Sequence, residues 1–226
     1  SRFHDCFFEY CGSTDGTNKA VVKMTGAPDA GQTSYWGCDE ITFDTCRWEV
    51  CGDRILDCAY GGGFGIAKIR FVNCKFENSG NDANGINGSN DANQAMFRFD
   101  NAQFIEFLGC DFTLQDRQSA YVQPACFRLL GSSFVSVASS EFQYGSGTRP
   151  RVFTNFFVLN GANQMLTLTD VWCNSGNSTA HPANVIACTN SPRVALKNCG
   201  FTPTEGGAKT LADFLTGATN SGGIVA

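Results

Sequence analysis

The chain has 226 residues, enough for one large or one elongated domain. It is 42% hydrophobic and only 16% charged, and its formal charge of -5 argues against a nucleic-acid-binding surface. No run approaches the roughly 18 apolar residues of a membrane helix, so membrane insertion is not expected.

The chain opens inside a motif. Phe3, Cys6 and Phe8 set a spacing of apolar-x-x-small-x-aromatic. The spacing returns at Phe43, Cys46 and Trp48, then at Phe71, Cys74 and Phe76. In these two units Ile41 and Ile69 stand two residues upstream, which is the period of a strand. Four residues before them stand Gly37 and Gly65. From the fourth unit on, another apolar alternation precedes the turn. Residues 96–99 come before Asn101, Ile105, Phe107, Cys110 and Phe112. Residues 126–129 come before Gly131, Val135, Val137, Ser140 and Phe142. Residues 156–159 come before Gly161, Leu166, Leu168, Val171 and Cys173. Residues 185–188 come before Asn190, Val194, Leu196, Cys199 and Phe201. Residues 211–226 change texture, with a short helical hint and then Gly and Ser.

Each unit therefore reads as strand, Gly/Asn turn, strand, small bend, strand, variable loop. The bend is Asp5, Thr45, Asn73, Gly109, Ser139, Asp170 or Asn198. Such a bend resets the alternation, so that Phe71, Cys74 and Phe76 all point inward. About seven turns of three short strands, each turn roughly 30 residues long, make an all-β parallel β-helix. An antiparallel sandwich is the competing fold, but its hairpins would vary their turn chemistry, whereas here two turn columns recur in register. Residues 1–202 are assigned to the helix, and 203–226 to an exit segment leading to a further trimerising or capping region. Starting within a motif, the chain reads as a piece of something longer.

Twelve cysteines raise the question of a disulfide framework. Cys6, Cys46, Cys74, Cys110 and Cys199 share one slot with Ser140 and Val171, so that slot requires a small side chain rather than a sulfur bond. A reduced thiol column, assembled in a reducing cytoplasm, is expected. Cys126, Cys173 and Cys188 fall at interior positions. Cys11 and Cys51 match between the first two units, and Cys38 and Cys58 read as insertions. No metal site or cofactor is expected, since CxxC is absent and only His4 and His181 are at hand.

The outward residue after the cysteine slot runs Arg47, Lys75, Asp111, Glu141, Trp172, Gly200. Adjacent turns would place Asp111 beside Glu141, and two close carboxylates are how an acid/base pair is made. A separation near 5 Å suits a retaining glycosidase. Glu106 and Asp116 are the reserve carboxylates. Arg98 and Arg128 are matched in register and suit an anionic sugar. Trp172, Tyr121 and Tyr144 are candidate stacking platforms, as are Tyr35, Trp36 and Tyr60. A solvated charge ladder is the competing account of the same residues.

The repeated Asn/Gly turns and N-C-x-F edges, as in residues 73–76 and 198–201, resemble the right-handed, single-stranded β-helix of pectate-lyase-like proteins. The closest likeness is to the body of bacteriophage tailspikes. The likeness is one of architecture over about residues 1–202, and no catalytic motif carries over. It implies a homotrimer in a virion tail spike or fibre that binds, and in some members hydrolyses, host cell-surface polysaccharide. A secreted lyase, epimerase or hydrolase on the same fold, or a purely structural virion protein, are the alternatives.

Overall fold

The computed structural model describes residues 1–9, 20–24, 38–49, 54–59, 66–77, 95–114, 122–144, 152–175, 184–190, 192–202, 215–216 and 224–225. Among these there are strands and no helix. In chain order the strands are β1 (Arg2–His4), β2 (Phe7–Glu9), β3 (Ala20–Met24), β4 (Cys38–Asp44), β5 (Arg47–Glu49), β6 (Arg54–Ala59) and β7 (Ile66–Val72). Then follow β8 (Lys75–Glu77), β9 (Phe97–Asp100), β10 (Ala102–Leu108), β11 (Asp111–Leu114), β12 (Val122–Leu130), β13 (Phe134–Tyr144) and β14 (Val152–Asn160). The last are β15 (Met165–Ser175), β16 (Asn184–Thr189), β17 (Arg193–Lys197), β18 (Gly200–Thr202), β19 (Leu215–Thr216) and β20 (Ile224–Val225).

Every pairing is parallel and joins a strand to its equivalent in the next unit. The first ladder runs β1, β4, β7, β10, β13, β15, β17, β20. The second runs β2, β5, β8, β11, β13, β15, β18. The third is a separate sheet, β3, β6, β9, β12, β14, β16, β19. The protein is thus all-β and parallel, as the repeat predicts.

Three details differ from the sequence reading. In the fifth and sixth units the predicted second and third strands are one strand each, β13 and β15, and these join the first two ladders into a 13-stranded sheet. β3 and β6 belong to the third ladder, which the sequence showed only from residue 96 on. Cys58 is therefore a buried strand residue, not part of an insertion, and its thiol lies 3.8 Å from Met24 Sδ. Cys38 begins β4. Finally, the described residues within 203–226 are strands that extend the third and first ladders, pairing with β16 and β17.

The bends decide the inward columns. Asp5, Thr45, Asn73, Gly109, Ser139, Asp170 and Asn198 all have left-handed φ, between 49° and 65°. A left-handed residue breaks the strict alternation, so side chains on both sides of it face the core. Asn101, Gly131 and Asn190 in the other turn column are left-handed too. Gly161 is not. There the extra residue is taken up by a turn in which Gln164 N donates to Gly161 O at 3.2 Å and Gln164 Oε1 accepts from Asn160 N at 2.6 Å.

The inward columns are stacked rings. Phe3, Phe43, Phe71 and Phe107 follow one another at 4.9, 5.0 and 4.7 Å between centroids. Phe8, Trp48, Phe76, Phe112 and Phe142 do so at 4.9, 4.7, 4.9 and 4.2 Å. These distances follow the roughly 4.8 Å spacing of strands, so the backbone dictates the stacking. Phe97 of the third ladder meets Phe107 and Phe112 edge-on at 5.4 and 5.7 Å. All three ladders therefore bury onto one core.

The cysteines in this slot do more than fill it. Cys46, Cys74, Cys110 and Cys199 each donate a thiol proton to a carbonyl one unit back (Phe3, Phe43, Phe71 and Leu168) at 3.4–3.5 Å. Ser140 donates to Ala138 O at 2.7 Å and accepts from Cys110 N at 3.1 Å. The nine described cysteines that show side chains are free thiols. Burial pushes Cys46 up to about 11 and Cys188 likewise to about 11.

Candidate functional site

The predicted outward column exists. Strand registers connect Phe7, Arg47, Lys75, Asp111, Glu141, Trp172 and Gly200 in that order. Each neighbour is one strand spacing away, about 4.8 Å from backbone to backbone. The column begins with a cation over a ring, Arg47 at 5.5 Å from the Phe7 centroid. Its middle is charged. Lys75 Nζ lies 4.0 Å from Asp111 Oδ2 and 3.3 Å from Glu77 Oε2. Arg47 reaches Glu49 at 3.0 Å and Glu77 at 2.7 Å. Burial raises the Glu77 carboxyl, but hydrogen bonds from Arg47 and Lys75 outweigh it and leave the pKa low.

Asp111 and Glu141 stand side by side in register, each with its own polar neighbour. Thr113 Oγ1 donates to Asp111 Oδ1 at 3.1 Å, and Gln143 Nε2 donates to Glu141 Oε1 at 3.2 Å. Next along is Trp172, 47% exposed. A Cβ built on Gly200 would sit 2.0 Å from Trp172 Cζ3 and 2.2 Å from Cε3. The indole therefore lies over the bare Cα of Gly200, and a glycine is what lets it lie there. An aromatic face and two carboxylates thus share one straight, solvent-facing ledge.

The other predicted residues are elsewhere. Glu106 lies on the first ladder, across the Gly109 bend from Asp111, and its Oε2 is 2.6 Å from Arg70 Nε. Arg98 and Arg128 are register partners on the third ladder, as expected. The Arg98 charge is met by carboxylates: Arg98 is 3.7 Å from Asp57, which is 5% exposed, and 3.9 Å from Asp100. Burial holds the Asp100 carboxyl above its usual range, against the pull of Arg98. Asp116 and Tyr121 lie outside the described residues, as do Tyr35, Trp36, Tyr60, Cys11, Cys51, His181 and residues 78–93. Tyr144 closes β13, and its side chain is outside the description.

A second surface was not anticipated. On the outer face of the first ladder, Phe104, Phe134 and Met165 line a depression of about 460 Å³ with Lys68, Arg70 and Thr167. Phe104 is 61% exposed and left-handed, with φ of 57°. The same left-handed backbone recurs at the register-equivalent Glu40 and Lys68, both with φ of 55°. Among the described residues no cluster of three metal-ligating side chains occurs.

Compared with protein-family models, curated proteins and solved structures, the chain matches none.

Proposed function

We propose that the chain is a right-handed, single-stranded parallel β-helix that binds a polysaccharide along the ledge formed by Lys75, Asp111, Glu141 and Trp172. One observation carries this reading: the exposed Trp172 indole lies over Gly200, in register with two adjacent carboxylates. Sugar rings stack on such a face through their C–H groups, while carboxylates accept bonds from the hydroxyls. Rungs repeating at about 4.8 Å suit an extended polymer better than a single small molecule. The setting that fits best is a viral receptor-binding spike facing host surface polysaccharide. The column of free thiols supports this, since it suits assembly in a reducing cytoplasm.

Binding and cleavage separate experimentally. The protein is titrated with a panel of bacterial surface polysaccharides, and reducing ends are assayed in parallel. Trp172→Ala is expected to lose binding by about tenfold or more, in line with one lost stacking face. Asp111→Asn and Glu141→Gln would abolish reducing-end release, if there is any, with binding retained. Binding unchanged in Trp172→Ala refutes the ledge.

A further inference from the structure

We propose, on the basis of that binding reading, that the ledge takes an uncharged polysaccharide and that Asp111 and Glu141 exclude acidic ones. The outward face of the second ladder has two columns. Beside Arg47, Lys75, Asp111 and Glu141 run Glu49, Glu77, Thr113 and Gln143 in register. Both cations are engaged within the ledge. Arg47 reaches Glu49 at 3.0 Å and Glu77 at 2.7 Å, and Lys75 reaches Glu77 at 3.3 Å. An acidic sugar would have to break one of these pairs to gain a cation.

Past Lys75 and Glu77 neither column carries another cation. The flanking column continues from Gln143 as Asn174 and Thr202, amide and hydroxyl residues. The cation nearest Asp111 among the described residues is Lys75, 4.0 Å away and closer to Glu77. Glu141 follows one rung on, and Trp172 one rung after that, each step about 4.8 Å. A sugar stacked on the indole therefore lies within about two rungs of both carboxylates. Thr113 donates to Asp111 Oδ1 and Gln143 Nε2 to Glu141 Oε1, which holds each carboxylate beside its own strand. Hydroxyls of a neutral sugar can donate to these groups. A uronate or a sugar phosphate would instead bring a further negative charge into the row. Placing like charge against the wrong ligand is a direct route to specificity.

The cations that could receive an acid lie off the ledge. Arg98 is on the third ladder between Asp57 and Asp100. Arg70 is on the first ladder, 2.6 Å from Glu106. Arg193 and Lys197 are exposed and have no ion pair among the described residues, but they too belong to the first ladder.

The tightest-binding member of the polysaccharide panel is expected to be uncharged. Oxidising its primary hydroxyls to carboxylates should weaken binding to the parent about tenfold or more. In about 1 M salt, where charges are screened beyond about 3 Å, the two forms should bind within about threefold of each other. The double variant Asp111→Asn/Glu141→Gln should narrow the same ratio to about threefold in low salt, whatever its absolute affinity. A charged polymer as the tightest binder, or an oxidised form that binds the parent as well as the neutral one, would overturn the charge rule. So would a loss on oxidation that persists in high salt or in the double variant, since lost hydroxyl contacts would then explain it. In each of these cases Trp172→Ala still decides whether the ledge is the site. Binding by no member of the panel would overturn the ledge and the charge rule together.

Discussion

Truncating one ring at the centre of the aromatic stacks and one at their end separates the architecture from general hydrophobicity. Phe107 is fully buried. It stacks on Phe71 at 4.7 Å and meets Phe97 and Phe127 edge-on, each at 5.4 Å. Phe107→Ala removes the transfer energy of a whole ring and leaves a cavity whose rigid aromatic walls cannot collapse. Such changes cost about 3–5 kcal/mol, and the lost ring contacts put this one near about 5. Phe3 is the same residue in the same column, but it is 42% exposed and has one stacked neighbour, Phe43 at 4.9 Å. Roughly half its burial and one ring pair predict about 1–2 kcal/mol for Phe3→Ala. Guanidinium unfolding followed by circular dichroism measures both, with hydrogen exchange reporting whether the end rungs open first. A Phe107→Ala loss within about 1 kcal/mol of the Phe3→Ala loss would refute a continuous stack with Phe107 at its centre.

Three further outcomes are expected. Cys46 and Cys188 titrate near 11 in the folded protein but near the ordinary thiol value of about 8.5 when unfolded, so the unfolded state holds fewer protons above that pH. Stability is then fully present below about pH 8.5 and is lost as pH rises through 11; an unfolding midpoint flat from pH 8 to 11 would contradict this. Gly109→Ala should cost about 1–2 kcal/mol in urea unfolding, because φ is +65° and the new Cβ would lie 2.7 Å from Asn73 Oδ1. Gly200→Val should displace the Trp172 indole and shift its fluorescence while leaving the unfolding free energy within about 1 kcal/mol of the parent, since Trp172 is exposed and Gly200 only half-buried.

The sequence made the bends legible because each is a small residue at a fixed offset, and all seven bends are left-handed. The inward columns were legible for the same reason, since register converts sequence spacing directly into stacking. The left-handed residues within the first-ladder strands were not. Glu40, Lys68 and Phe104 are residue types that normally avoid left-handed φ, so nothing in them announces it. β3 and β6 escaped because the distance from their apolar residues to the following turn differs from that in later units. The thiol-to-carbonyl bonds were hidden because Val171 fills the same slot without a donor. At the ledge, the column and its order were readable, but the bed that Gly200 makes for Trp172 needed coordinates. Glu106 looked close to Asp111 along the chain, and the Gly109 bend puts them on different ladders.

Polysaccharide binding along the ledge is tested most directly by Trp172 itself. Its indole is the exposed one of the two described tryptophans, Trp48 being fully buried. Acrylamide quenching of tryptophan emission, measured during titration with the polysaccharide panel, reads whether a ligand covers that face. The account predicts that one polymer shields the emission saturably in the parent and in Asp111→Asn. It also predicts that this shielding disappears in Trp172→Ala. A polymer that binds the parent while Trp172 remains fully quenchable would contradict it.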